Sequence, residues 1–390
     1  MKTVYLWLIR LVSLLNLWRP KKKIVYLMSF GNNVNFIKQL AQSLPQQTQI
    51  IVLYREEAEA AATDLAAFGL ETIQFDDNLY FATQLIPVIM GAKIIFCDNY
   101  YAFLGGLVHS SRTKIVQLWH AAGAIKKFGW EDPITNRRSN SDKRRFQQVY
   151  NQFNEYIVGS EAMGSVFENS YHEPSSKMQL LGYPRSDRYL NQTWIQNSRE
   201  RVYYIAPELK NKRVILYAPT YRENKSVQLP KGVSEALTVD PDAIVVIKLH
   251  PLLRKHEHEL QRQNTAQIRF YHQLSTSELL TVTDTLITDY SSVAFDYSLL
   301  KIAKSIIFYM FDFDSYQQNP GIQDDFLSWL PSKPVKTLAE LKAAILSRQE
   351  TDFNKFNEKW NTYNDGQATG RVVRRYVKYV TKNNRKNKES

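Results

Sequence analysis

Two doubly wound α/β domains with a cleft between them are predicted for this 390-residue chain, and three observations predict them. Short, continuous apolar runs alternate with amphipathic stretches through most of the sequence, as in parallel sheets covered on both faces. The runs fall into two sets, parted by the polar segment 191–212. Hydrophobic residues make up 44% and charged residues 23%, which supports real cores and excludes global disorder.

The chain opens with MKTVYLWLIRLVSLLNLW, read as a helix with Lys2, Thr3, Arg10, Ser13 and Asn16 along one side and most Leu, Val and Trp elsewhere. Arg10 interrupts an apolar stretch already shorter than the ~20 residues of a spanning helix. No small-residue cleavage site follows. With its RPKKK collar, the segment 1–23 is expected to lie as an amphipathic helix on an anionic membrane surface. The competing expectation is a helix packed on the protein's own surface.

The first strand set is IVYLMSF (24–30), QIIVLY (49–54), KIIFCD (93–98), KIVQLW (114–119), EYIVGS (155–160) and MQLLGYP (178–184). NFIKQLAQSL and EEAEAAATDLAAFGL read as helices between them. The first domain is therefore set at 24–195. The second, at 196–350, carries RVILYAPT (213–220), AIVVIKLH (243–250), TLITDY (285–290) and SIIFYM (305–310). The segment 191–212 is expected as the connection. Residues 351–390 end the chain as a helix packed back on the first domain, then a basic tail.

Charge is unevenly placed. The net charge is +12; residues 1–23 carry +6 and residues 371–390 carry +7, so the body between them is nearly neutral. A nucleic-acid enzyme would spread basic charge over its working face, so no nucleic-acid partner is expected; basic ends suit an anionic surface. The single cysteine, Cys97, lies in a strand-like run and is expected to be a buried, inert thiol. RRSNSDKRRFQQVY (137–150) is read as a solvated basic helix face, with phosphate or head-group contact as the sharper alternative.

Ligands of doubly wound sheets bind beyond the carboxyl ends of the strands, and this rule selects the polar residues. Asp98 and Asn99 follow KIIFC, His120 ends KIVQLW, Thr220 and Arg222 follow RVILYAP, Lys248 and His250 end AIVVIKLH, and Asp289 ends TLIT. Tyr290, Ser291 and Ser292 then open SSVAFDYSLL, where hydroxyls and free N–H groups suit a phosphate, or simply cap the helix. Two histidines at strand ends in separate domains could serve as general base and phosphate binder. Gly123 and its small neighbours would admit a substrate, and Lys126 and Lys127 would attract its phosphates. His250, His256 and His258 match no zinc spacing, so no metal is expected. Walker and G-x-G-x-x-G patterns are absent.

Taken in order, QLWHAAGAIKKFG, VGSEAM, LGYPRSD, LYAPTYR, IKLHP and LITDYSSVAFDYSLL resemble the CDP-glycerol glycerophosphotransferases of Gram-positive wall teichoic acid synthesis. The resemblance is strong over about 90–330 and looser elsewhere. Within that family, WHAAGAIKKFG followed by EDPITNRRSNSDKRRFQQVY is most similar to the enzymes that add the first glycerol phosphate. The resemblance implies a GT-B-like fold of two Rossmann-like domains, with an acceptor domain at 24–195 and a CDP-glycerol-binding domain at 196–350. It also implies peripheral attachment at the cytoplasmic face of the cell membrane and a reaction without cofactor.

The implied reaction moves one glycerol phosphate from CDP-glycerol to an undecaprenyl-diphosphate-linked disaccharide and releases CMP. Other teichoic acid enzymes are expected as partners. The family's two histidines fall on His120, the general base, and His250, which would steady the leaving group. Thr220, Arg222, Lys248, Asp289, Tyr290, Ser291, Ser292 and Asp324 fall on the CDP-glycerol side. Asp98, Asn99, Gly123, Lys126 and Lys127 fall on the acceptor side. The chain departs from the family pattern at Pro320-Gly321 and Pro331-Ser332, which bears on Asp324 and Asp325 as contacts for donor glycerol. A polymerase or second-step enzyme of the family, a nucleotide-sugar glycosyltransferase of the same fold and a non-catalytic scaffold are the alternatives.

Overall fold

The computed structural model describes residues 2–220, 230–249, 257, 260 and 267–386. It divides into unit 1 (Met1–His120, Phe128–Asp187 and Tyr363–Ser390) and unit 2 (Ala121–Lys127 and Arg188–Thr362).

Unit 1 is built on a seven-stranded parallel sheet ordered β3-β2-β1-β4-β5-β6-β7. Its strands are β1 (Lys23–Met28), β2 (Gln49–Tyr54), β3 (Glu71–Gln74), β4 (Ala92–Cys97), β5 (Lys114–Gln117), β6 (Glu155–Val158) and β7 (Met178–Leu180). The central β1 and β4 pair in register from Ile24 against Ile94 to Leu27 against Cys97, and their side chains are buried on both faces. That is why they read as unbroken apolar runs. Cys97 is fully buried, and burial pushes its thiol well above the usual range.

Unit 2 carries a five-stranded parallel sheet ordered β10-β9-β8-β11-β12. These are β8 (Arg213–Tyr217), β9 (Ala243–Ile247), β10 (Ile268–Arg269), β11 (Thr285–Thr288) and β12 (Ser305–Phe308). Both sheets thus show the same doubly wound order, with a switch point between β1 and β4 in unit 1 and between β8 and β11 in unit 2. The two strands that the sequence reading missed, β3 and β10, are the outer strands on one side of each sheet. ETIQ is half exposed and IR is two residues long, so neither forms a recognisable apolar run.

The amino-terminal helix is Lys2–Leu15, and its amphipathicity differs from the expected division. Ser13 faces inward and Asn16 is half-buried. The Ser13 hydroxyl donates to the Arg10 carbonyl at 2.9 Å and accepts from the Val108 amide at 3.0 Å, while the Asn16 amide donates to the Val12 carbonyl. Gly106 lets the helix backbone approach, since a Cβ there would lie 2.6 Å from the Leu6 carbonyl oxygen. The outward face is Val4, Trp7, Leu11, Leu14, Leu15 and Trp18, all exposed, with Trp7 at 65% and Trp18 at 77%. One side of the helix thus packs on unit 1 while an apolar stripe faces outward. Among the described residues no helix is long and apolar enough to cross a membrane.

Most of the segment 191–212, expected as the connection, is helical. Asn191 caps a helix over Gln192–Ile205 by accepting from the Trp194 amide at 2.9 Å, Ile195 and Val202 bury its inner face, and the helix belongs to unit 2.

The last helix, Ala368–Lys386, packs on the first sheet. Val372, Val373, Tyr376 and Val380 join the core of unit 1, with the Tyr376 ring edge-on to Phe96 at 5.0 Å. Glu155 at the start of β6 accepts hydrogen bonds from Arg375, Lys114 and Tyr376. Burial alone would raise its carboxyl, but these hydrogen bonds hold it below the usual range.

Candidate active site

At the switch point of unit 1, Asp98 follows β4 and is buried. Its carboxylate accepts from the Ser29 amide at 2.9 Å, the Phe30 amide at 3.0 Å and the Tyr101 hydroxyl at 2.9 Å. Burial pushes the carboxyl up to about 7 against these hydrogen bonds. Asp98 therefore ties the loop after β1 to the end of β4; it holds protein rather than presenting a free oxygen. Asn99 is similarly engaged, accepting from Gln117 Nε2 through its carbonyl and from the Tyr100 amide through its side chain.

His120 sits beyond β5, which ends two residues earlier than the apolar run suggested. The cause is local. Trp119 takes a left-handed φ of 59°, costly for a bulky residue, and the buried Gln117 side chain accepts its amide at 2.8 Å. The imidazole packs on Phe30, with centroids 4.6 Å apart, and on Trp119 at 4.2 Å. Its Nδ1 lies 3.2 Å from the Asp98 backbone carbonyl. A carbonyl oxygen can only accept, so Nδ1 carries the proton and Nε2 keeps its lone pair. Burial lowers the imidazole to about 4, helped by the charge of Arg185 and opposed by the carbonyl contact. At neutral pH His120 is therefore an uncharged base with Nε2 open to accept.

Unit 2 repeats the aspartate device. Asp289, after β11, accepts from the Thr220 amide at 2.8 Å, the Thr220 hydroxyl at 2.6 Å and the Tyr290 amide at 2.7 Å. It ties the loop after β8 to the end of β11, as Asp98 ties the loop after β1 to the end of β4. Tyr290 is buried, stacks on Tyr316 at 3.7 Å and donates to Asp312 at 3.2 Å. The expected helix after Ser292 is only Val293–Tyr297. Ser291 accepts from the Val293 amide at 3.3 Å, and the Ser292 side chain makes no cap bond. A helix this short adds little dipole. The Lys248 ammonium donates to the backbone carbonyls of Tyr271 and Leu274.

Three residues expected on the acceptor side, Gly123, Lys126 and Lys127, group with unit 2. Residues 121–127 belong to unit 2, where Lys126 bridges Ile322 and the Gln323 amide donates to the Ile125 carbonyl at 2.9 Å. Packing requires a glycine at 123, since a Cβ there would meet the Phe295 ring at 2.4 Å. Lys127 pairs with Asp324 at 2.6 Å, and the Asp324 carboxylate is otherwise open, at 91% exposure. Asp325 is held by Lys359 and the Trp329 indole. Arg222, His250, His256 and His258 lie outside the described residues. Among the described residues no cluster of three His, Cys, Asp or Glu could hold a metal ion.

Sequence reasoning missed Phe30, Gln117, Trp119 and Arg185. The strand-end rule reaches Arg185, which follows the run MQLLGYP; the other three act through a backbone turn and stacked rings that no spacing announces.

The comparisons agree with this architecture. A family model described as CDP-glycerol:poly(glycerophosphate) glycerophosphotransferase matches residues 11–378. The chain is 30% identical over 380 residues to the teichoic acid glycerol-phosphate primase of Bacillus subtilis (strain 168), with 95% of each covered. The solved wall teichoic acid polymerase TagF superposes with a TM-score of 0.73 at 18% identity, over 96% of this chain and 93% of that one. A putative UDP-N-acetylglucosamine 2-epimerase from Listeria monocytogenes gives 0.59 at 12%, over 92% and 96%. At such identities these two structures speak for the GT-B-like fold alone. The chain belongs to the CDP-glycerol:poly(glycerophosphate) glycerophosphotransferase family and is a CDP-glycerol glycerophosphotransferase of teichoic acid synthesis.

Proposed function

We propose that this enzyme transfers a single glycerol phosphate from CDP-glycerol to the N-acetylmannosamine of a lipid-linked ManNAc-GlcNAc diphosphoundecaprenol, releasing CMP. The observation that carries the reading is the state of His120: Nδ1 is tied to the Asp98 carbonyl and the ring is neutral, which leaves Nε2 to take a proton. The sugar hydroxyl oxygen attacks the phosphorus bearing glycerol while Nε2 accepts its proton. The new O–P bond forms as the P–O bond to CMP breaks. Such transfers need positioning and charge neutralisation more than covalent help from the protein. His250 and Arg222 are assigned to the charge on departing CMP, and Asp324 to donor glycerol. In this reading the domain at 24–195 takes the acceptor and that at 196–350 takes CDP-glycerol.

The acceptor is lipid-linked, so the enzyme works at a membrane, and we assign it to the cytoplasmic face as a peripheral protein. The outward stripe from Val4 to Trp18 and the basic residues Arg19, Lys21 and Lys22 beside it support this, since interfacial binding combines apolar insertion with attraction to anionic lipid.

Mass spectrometry of a reaction with CDP-glycerol and a short-chain acceptor analogue tests the assignment. One added glycerophosphate per acceptor with one CMP released is expected, and His120→Ala should abolish it while leaving CDP-glycerol binding largely intact. Several added units, or extension only of an acceptor that already carries glycerol phosphate, moves the enzyme to a later step.

A further inference from the structure

His120 leaves the first sheet through a turn that its residues do not favour by themselves. The Leu118 amide still donates to the Cys97 carbonyl at 2.7 Å, continuing the ladder, and Trp119 then takes a φ of 59°. A bulky residue adopts this conformation only where its surroundings over-determine it, and such outliers gather at functional sites. The Trp119 ring is held among Phe128, Phe167 and Tyr171. Its backbone is held by Gln117.

Gln117 is the last residue of β5 and is buried. Its Oε1 accepts from the Trp119 amide at 2.8 Å, and its Nε2 donates to the Asn99 carbonyl at 3.1 Å. These partners demand opposite chemistry, an acceptor for one and a donor for the other, which neither a carboxylate nor an alkyl chain of the same length supplies. The Asn99 carbonyl is next in the chain to the Asp98 carbonyl, to which His120 Nδ1 is tied at 3.2 Å. Consecutive carbonyls of the loop after β4 are thus taken by Gln117 and by His120. Gln117 spans from that loop to the turn that carries the imidazole.

We infer that Gln117 is a positioning residue of the transfer reaction: it pins the Trp119 turn to the loop after β4, so that His120 meets the Asp98 carbonyl through Nδ1 and presents Nε2 to the acceptor hydroxyl. The inference rests on the reading of His120 as general base. A neutral imidazole has two tautomers, and the hydrogen bond made at one nitrogen decides which nitrogen keeps the lone pair. Without Gln117 the Trp119 amide and the Asn99 carbonyl lose the partner that joins them. The turn then relaxes toward negative φ, and the Asp98 carbonyl no longer selects the tautomer. Gln117 donates nothing to the reacting atoms; its effect passes through the orientation of His120.

Nuclear magnetic resonance of the full chain carrying nitrogen-15 histidine reads the tautomer without turnover, with the His120 signals assigned by their loss in His120→Asn. The wild type at neutral pH should show His120 protonated on Nδ1 alone. Gln117→Met keeps the side chain's length but not its amide; it should show both tautomers and a kcat lower by roughly tenfold or more, with the KM for CDP-glycerol within about twofold of wild type. A merely structural role would lower thermal stability yet leave the tautomer of the folded protein unchanged. A methionine variant with the wild-type tautomer, or with mixed tautomers at undiminished kcat, overturns the inference. Should that variant fail to fold, hydrogen exchange of the wild type decides: the Trp119 amide should exchange far more slowly than in an unstructured peptide, and free exchange overturns the inference. Failure of the underlying reading looks different, since His120→Ala then turns over near the wild-type rate whatever the tautomers show.

Discussion

His120, the proposed general base, owes its neutral state to what surrounds it. Free imidazole titrates near neutrality, but here burial and the Arg185 charge bring it to about 4. Under the proposed mechanism only the neutral ring can accept the acceptor's proton, so activity is lost on the acid side, below the folded pKa. In the free enzyme kcat/KM is expected to be flat through neutrality and to fall tenfold per pH unit below pH ~4. In Arg185→Gln the acid limb should move up, since a positive neighbour has gone; a pH–rate profile of both proteins measures it, and an acid limb that stays in place argues against their coupling.

The supporting residues are equally specific. Asp98→Ala strands two backbone amides that its carboxylate now holds, and unmet buried donors cost ~1–3 kcal/mol each. A loss of about 3 kcal/mol in urea unfolding is expected, with the Phe30 contact to His120 loosened as well.

At the scale of elements, the amino-terminal helix has two unlike sides, and the outer one is the side proposed for the membrane. Ile9 and Ser13 bury its inner side, whereas Trp7 and Leu11 stand outside the fold. Trp7→Asp and Leu11→Asp should therefore leave thermal stability within ~0.5 kcal/mol of wild type. They should weaken sedimentation with anionic lipid vesicles by tenfold or more each, because burying such a side chain contributes ~1.5–3 kcal/mol. Vesicle binding that survives both changes removes the helix from the membrane.

Two other elements rest on unbranched details of sequence. Gly123 admits Phe295 against its backbone, and the five-residue helix Val293–Tyr297 stops far short of the run SSVAFDYSLL that suggested it. An apolar run marks burial, but it does not say whether the backbone stays helical throughout, since turns can be buried just as well when their own amides are satisfied.

Across the whole molecule, unit 1 is assembled from three stretches of chain, and its closing contact joins residues far apart in sequence. Glu155 meets Arg375 and Tyr376 at a separation of about 220 residues. Glu155→Gln is expected to cost about 2 kcal/mol, the scale of a hydrogen bond to a charged group. Its folded carboxyl lies below the ordinary value, so its contribution is fully present above the unfolded pKa and is lost as pH falls through the folded one. Urea unfolding should thus separate wild type from variant at neutral pH and converge in acid; a gap independent of pH shows that packing, not the ion pair, holds the helix.

The sequence by itself determined the class of architecture, because parallel strands buried on both faces must be written as continuous apolar runs, and β1, β2, β4, β8 and β11 are written so. It also placed His120, Asp98, Thr220 and Asp289 at strand ends, since a side chain that follows a strand emerges at the edge where that strand stops. Only the tertiary structure decided what those side chains do there. Two aspartates chosen as ligands prove to bind backbone amides across the switch points, because a buried carboxylate is stabilised by the nearest N–H groups, and these come from a loop some 70 residues away in sequence. Gly123, Lys126 and Lys127 pack in unit 2 although they directly follow His120, because the contacts that hold them come from residues 295 and 321–324. The segment that carries Arg185 is held by a glycine turn and by hydrogen bonds from the end of the chain. Local sequence fixes local conformation; charge and burial at a site are set by neighbours that only folding brings together.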